Sequence, residues 1–307
     1  MTLWAVQTGQ LLRTYTGSFQ SASFSPDGQT IVTASGQMKT ALLWDVATGE
    51  ILHTFEGHRA DVNKAIFSAD GRTIVTISKD KAIITWDAAT GKKRQTLVGH
   101  ADSIDHVLFS PNGELILTGS ADSMVRLWSA RTGRGLYSLK GHDRIYKIGF
   151  SPDSLTVMST GTMLIKKVEH PAIMLWNALT AQRIHTLTGH LDQVDQAVFS
   201  PDGLTLLTGS HDGSAILWNV ATGRNLHTFR DHTDRVTGVA FSRDGRTLIT
   251  SSFDSSTLVW DANTYEPLYR LSASDSRVIG LAMSSDGQSL LTTYEDGTIS
   301  LWHMPER

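Results

Sequence analysis

Tryptophan recurs at nearly constant intervals in this chain: Trp4, Trp44, Trp86, Trp128, Trp176, Trp218, Trp260 and Trp302. Five of the seven successive gaps are 42 residues, and the other two are 40 and 48. No tryptophan falls off the beat. A period in this range marks one small supersecondary unit copied along the chain, each copy burying its apolar face only against a neighbour. Arrays of this kind usually bind other molecules rather than transform them.

The length of 307 residues alone would suggest two domains. No Pro/Gly/Ser-rich linker or charge run breaks the register, so a single domain over 1–307 is expected. The chain starts almost inside a repeat, at Met1-Thr2-Leu3-Trp4, which suggests a piece, C-terminal, of a longer polypeptide. The formal net charge of −3 is a poor platform for nucleic acid, which needs clustered Lys and Arg. With no cysteine there is no disulfide framework and no thiolate metal site. That absence does not fix a compartment, and the cytoplasm is the expected one. There is no run of about 18 apolar residues and no signal segment, so no membrane partner is expected.

Residues 58–97 show one unit. Val62, Ala65 and Phe67 are spaced V-x-x-A-x-F, one residue out of strict alternation, which predicts a strand with an early β-bulge. The spacing recurs at Ile104/Val107/Phe109, Ile145/Ile148/Phe150, Val194/Ala197/Phe199, Val236/Val239/Phe241 and Val278/Leu281/Met283. A turn follows, Ser68-Ala69-Asp70-Gly71, written elsewhere as Ser25-Pro26-Asp27-Gly28 or Ser200-Pro201-Asp202-Gly203. Proline presets φ, Asp bonds its own backbone and Gly takes the positive φ. A second strand covers Thr73 to Ser78, a third ends at Trp86, and a fourth ends near Leu97 after the Thr90-Gly91 turn. Four short antiparallel strands joined by hairpins, with no helix, are therefore expected in each unit.

Gly-His stands at 57–58, 99–100, 141–142 and 189–190, with Asp231-His232 as a variant, and Trp-Asp at 44–45, 86–87 and 260–261. With four strands per unit, the whole chain resembles the WD-repeat (WD40) β-propeller family in its bacterial form. The resemblance implies an all-β, seven-bladed β-propeller of four-stranded antiparallel blades. First strands ending at Phe24, Phe67, Phe109, Phe150, Phe199, Phe241 and Met283 give the count of seven. The last blade stops at Trp302 without a fourth strand, and residues 10–15 match the fourth strands at 51–55 and 226–229. The family closes its ring by strand exchange between termini, so residues 10–15 are expected to join 298–302 and remove an open edge. Trp4 is then surplus.

The resemblance also implies a hydrogen-bonded set in each blade: His nine before the strand-one Phe, Ser eleven after, Asp thirteen after and Trp nineteen after. The fits are His58/Ser78/Asp80/Trp86, His100/Ser120/Asp122/Trp128, His190/Ser210/Asp212/Trp218 and His232/Ser252/Asp254/Trp260. Ser, His and Asp invite comparison with a catalytic triad. Four copies in one chain point instead to a structural staple, because an active site is not repeated in each blade. Three blades depart. The first has Ser18 in the His place, the seventh has Ser274 and Tyr294 in the His and Ser places, and the fourth has His142 with extra residues at 160–171.

By the same resemblance, the strand 4–1 and 2–3 loops make a binding face. Arg144, Tyr146, His211, Arg235, Phe253 and Arg277 are the candidates there, since interface hot spots favour aromatics and Arg. The expected function is a non-enzymatic scaffold or sensor that binds a protein or peptide, as a monomeric domain without cofactor or metal. One alternative is a nucleic-acid or anionic-ligand binder using the arginines, and another is a propeller enzyme with a central-channel site. No HExxH, GxxxxGK, GxSxG or N-x-S/T motif is present.

Overall fold

A computed structural model describes residues 1–5, 8–284 and 286–304. The chain packs as two compact units, Met1–Gly141 and His142–Arg307. Every regular element among the described residues is a strand, and the strands form eight antiparallel sheets.

The first unit holds a two-stranded sheet, Thr2–Trp4 with Leu11–Thr14, and three four-stranded meanders. These begin at Ser21–Phe24, Val62–Phe67 and Ile104–Phe109. The second unit holds three four-stranded meanders, beginning at Arg144–Phe150, Val194–Phe199 and Val236–Phe241. Its remaining sheet has three strands, Val278–Met283, Ser289–Tyr294 and Ile299–His303. The seven predicted first strands are all present. The predicted bulge lies where V-x-x-A-x-F placed it, for example between Val62 and Lys64 or between Val194 and Gln196. The Ser-x-Asp-Gly turns also close as their composition dictates. Ser25 Oγ donates to Asp27 Oδ1 at 2.6 Å, and Gly28 sits at φ 71°.

The four-stranded sheets bury both faces of their second strands. Thr73–Ser78 is buried from Ile74 onward. In the first unit Val32, Leu43 and Phe55 of one sheet pack on Val62, Ile74, Ile84 and Trp86 of the next. In the second unit Leu207, Leu217 and Phe229 pack on Leu248, Leu258 and Trp260 in the same way. Inside each unit a fourth strand thus delivers one large apolar side chain to the following tryptophan, as Phe55 to Trp86 at 5.3 Å between ring centroids and Phe229 to Trp260 at 4.7 Å.

The expected strand exchange is corrected. Leu11–Thr14 pairs with Thr2–Trp4, with Thr2 opposite Thr14 and Trp4 opposite Leu11. The last sheet ends at Ile299–His303, where Ile299 and Leu301 are exposed. The reason is local. Residues 2–5 and 8–14 repeat the third-strand and fourth-strand pairing found at 40–56. Gly9 N–H donates to Ala5 O at 2.8 Å, as Gly49 N–H does to Asp45 O at 2.9 Å. The register also shifts at Leu3/Trp4 as it does at Leu43/Trp44. A hairpin closed over a few residues costs less loop entropy than pairing across the chain. Trp4 is therefore the third-strand tryptophan of its own two-stranded sheet rather than a surplus residue. Its indole is half-exposed and bonds to Thr2 Oγ1 at 3.0 Å.

Candidate functional site

Inside each complete repeat the tryptophan ends a chain of side-chain hydrogen bonds. Trp86 pairs with Ile74 across the sheet, and its Nε1–H donates to Thr76 Oγ1 at 2.9 Å. His58 Nε2 lies 2.8 Å from the same oxygen, and His58 Nδ1 lies 3.0 Å from Asp80 Oδ2. Burial lowers the His58 pKa, with Asp80 pulling the other way, and the net shift favours the neutral ring. A neutral ring places its proton on Nδ1, toward the carboxylate, and accepts the Thr76 hydroxyl at Nε2. Burial alone would raise the Asp80 pKa, but the N–H groups of Arg59 at 2.7 Å and Ala82 at 3.0 Å bring it below the ordinary value.

Three further sets repeat this geometry. Trp128, Trp218 and Trp260 donate to Thr118, Thr208 and Thr250 at 2.9, 2.9 and 3.1 Å. His100, His190 and His232 meet the same hydroxyls at 2.8 Å each. They reach Asp122, Asp212 and Asp254 at 2.9, 3.1 and 2.9 Å.

The hydroxyl in the middle is thus not the predicted serine. Ser78, Ser120, Ser210 and Ser252 lie two residues further on and do a different job. Each accepts the backbone N–H of the turn Asp, at 3.0 to 3.1 Å, and donates to a carbonyl of the preceding loop. Ser78 Oγ reaches Ala60 O at 3.2 Å, which ties the 2–3 turn to the 4–1 loop. A usable signal was present. Nine residues after the strand-one anchor the chain reads Thr33, Thr76, Thr118, Ser159, Thr208, Thr250 and Thr292, a hydroxyl in all seven repeats. The serine position lapses to Gly161 and Tyr294.

The departing repeats keep the indole bond and lose other parts. Trp44 donates to Thr33 and Trp302 to Thr292, both at 2.9 Å. Tyr15 and Phe19 pack edge-on against Trp44, at 5.3 and 6.1 Å, where the first repeat has no histidine. In the last, Ser274 Oγ donates to Asp296 at 2.6 Å, and Tyr294 Oη accepts Ala273 N–H at 3.1 Å. In the fourth, His142 Nε2 and Trp176 Nε1 meet Ser159 Oγ at 2.9 and 3.1 Å. His142 Nδ1 is buried with no hydrogen-bond partner among the described residues, and burial lowers its pKa to about 4. The extra residues extend two strands to Thr156–Ile165 and Val168–Asn177. Lys166 and Lys167 turn between them at φ 52° and 67°, and Leu164, Ile165 and Val168 are exposed at the tip.

The six candidate partner-binding residues all lie in the second unit and form three groups. The Arg144 guanidinium sits 5.4 Å from the Tyr146 ring centroid. The Arg277 guanidinium lies 5.0 Å above the Phe253 ring and 3.7 Å from Glu295. Phe253 is half-buried beneath it, and its backbone N–H donates to Arg235 O at 3.0 Å. The Arg235 residue is exposed. His211 Nε2 is 2.6 Å from Asp195 Oδ2, and Gln193 Nε2 donates to the other oxygen at 2.5 Å. Among the described residues, no group of three His, Cys, Asp or Glu could hold a metal. No helix is long and apolar enough to cross a membrane.

The profile of the family "WD domain, G-beta repeat" matches six segments, 9–45, 49–87, 91–129, 181–219, 223–261 and 265–303. The chain belongs to the WD-repeat family. Its sheets are β-propeller blades, and the family is generally non-enzymatic and typically serves as protein-interaction scaffolds. The crystal structure of the computationally designed Ika8 protein superposes with a TM-score of 0.85 at 26% identity, over 99% of this chain and 90% of that one. An uncharacterized WD repeat-containing protein of Synechocystis sp. is 32% identical over 20% of this chain and 18% of its own. Mouse apoptotic protease-activating factor 1 is 36% identical over 24% of this chain and 7% of its own. The guanine nucleotide-binding protein subunit beta-1 of Caenorhabditis briggsae is 39% identical over 23% and 20%. The matched stretches therefore span a fifth or less of these curated relatives. The profile passes over 130–180, where the long hairpin and the unpaired His142 lie.

Proposed function

We propose that this WD-repeat chain is a non-enzymatic interaction domain that binds a polypeptide through the 4–1 and 2–3 turns of residues 142–304. The observation that carries this reading is the pairing of half-buried Phe253 with the Arg277 guanidinium at 5.0 Å, beside exposed Arg235. An aromatic in a short polar turn has no core to fill, and a guanidinium held over its ring is already ordered before a partner arrives. Arg144 over Tyr146 repeats the combination. The His–Asp sets support a scaffold as well, since their imidazoles are buried and bonded at both nitrogens to groups of the same blade.

The test is a quantitative pull-down with wild type and an Arg235→Ala/Phe253→Ala double variant. Hot-spot truncations cost ~2 kcal/mol or more each, so partners held by this face should fall at least about tenfold in recovery. Identical recovery with a correctly folded double variant would reject the face. Affinity for a captured polypeptide should also fall only shallowly with salt. A steep linear fall of log affinity with log salt would point instead to a polyanion.

A further inference from the structure

Lys147 follows the Arg144–Tyr146 pair on the first strand of its sheet, next to the bulge between Ile145 and Lys147. Its side chain is partly buried. Among the described residues its one hydrogen bond goes to Gln196 Oε1, at 3.4 Å, on the first strand of the next sheet. Among the described residues no carboxylate lies within ion-pair distance of its ammonium. Asp195 acts on it electrostatically, and the two Asp195 oxygens already face Gln193 Nε2 and His211 Nε2. An ammonium has three donors, and one partly withdrawn from water with a single long bond to the protein is a destabilising feature of the fold. Burial also lowers the Lys147 pKa. The same strand position holds Lys64, His106, Gln196, Gly238 and Gly280 in other repeats, so a cation is not required there for a first strand to form. A local violation of good packing is expected where function has been favoured over stability.

We infer that Lys147, with Gln196 beside it, is a receptor for a single carboxylate of the bound polypeptide. The inference rests on the proposed turn-face binding and names the partner feature that this face reads. One ammonium, with a neutral amide next to it and Asp195 nearby, matches a monoanion. A dianionic phosphate would meet Asp195 with only one partly buried cation to offset it. Tyr146 and Arg144, the cation–aromatic pair, lie one and three residues before it in the chain.

The test uses the full chain and small probes at fixed ionic strength: N-acetylglutamate amide, N-acetylglutamine amide and inorganic phosphate. Thermal midpoints are read against probe concentration for wild type, Lys147→Arg, Lys147→Met and Lys147→Gln. The expected result is a saturable rise with N-acetylglutamate amide alone. Lys147→Arg should keep the rise, and both neutral variants should lose it. Without probe, both neutral variants should melt at or above the wild-type midpoint, because an under-bonded cation has been removed. Three results would each overturn the assignment: no saturable rise in wild type, an equal rise with phosphate or in the neutral variants, or neutral variants that both melt below wild type. The last would make the amine a structural group. Failure here, with the Arg235/Phe253 pull-down still positive, would leave the binding face standing without its carboxylate receptor.

Discussion

Thr118→Val is expected to lower stability by about 3 kcal/mol, because each buried polar group left unpaired costs about 1–3 kcal/mol. Valine matches threonine in shape, so packing is kept. The change removes the oxygen that accepts Trp128 Nε1–H and the hydroxyl facing His100 Nε2, both in the buried interior. Thr118→Ser keeps the hydroxyl and should cost about 1 kcal/mol for the lost methyl. Ser120→Ala should cost about 1–1.5 kcal/mol, since it loosens only the tie between turn and loop. Urea denaturation of the three variants ranks them. If Thr118→Val were no worse than Ser120→Ala, the threonine would not be the junction of the chain.

Acid should weaken the fold well above the pH at which ordinary carboxylates titrate. His142 has an ordinary value of 6.5, and burial lowers it to about 4 in the folded chain. The sign follows from linkage. Above pH 6.5 neither state holds the proton, and the group is silent. As pH falls from 6.5 toward 4 the unfolded chain takes up a proton that the folded chain refuses, so stability falls through that window. A shift of this size corresponds to about 3 kcal/mol. Burial also lowers His58, His100 and His232, and each adds loss in the same direction below pH 6.5. Asp80, Asp122 and Asp254 are held below the ordinary 3.8, so their contribution is present above that value and lost only at lower pH. Unfolding free energies between pH 4 and 8 should therefore be flat at the alkaline end and fall below 6.5. His142→Phe should make that slope shallower, and an unchanged slope would rule out His142 as a source.

Much of this architecture was legible because it depends on short-range rules that repeat. The strand-one spacing placed the bulges, the Ser-x-Asp-Gly turns placed the hairpins, and the tryptophan interval placed the third strands. Two features were misread for physical reasons. Thr76 and Ser78 lie on the same face of one strand, so alternation cannot decide which hydroxyl reaches the indole. The cross-strand register decides it, because Ile74 opposite Trp86 brings Thr76 within reach. The N-terminal strand was read by its likeness to other fourth strands, which is real. A fourth strand pairs first with the third strand nearest in sequence, and Thr2–Trp4 supplies one. At the candidate face, side-chain identity showed where Arg and aromatics stand. It did not show that Arg277 lies over Phe253, a contact between consecutive blades that depends on how the sheets stack.

The central claim is that the polar residues resembling catalytic groups are engaged inside the blades, each anchored on an indole, which leaves the turns to meet a partner. Indole N–H exchange, followed by NMR on protein labelled at the tryptophan ring nitrogen, tests it most directly. Trp44, Trp86, Trp128, Trp176, Trp218, Trp260 and Trp302 donate to a strand-two hydroxyl, and Trp4 donates to Thr2 while half-exposed. Seven slowly exchanging indole protons and one fast one are predicted, with Thr118→Val releasing the Trp128 signal. Rapid exchange at Trp86, Trp128, Trp218 and Trp260 would contradict the account.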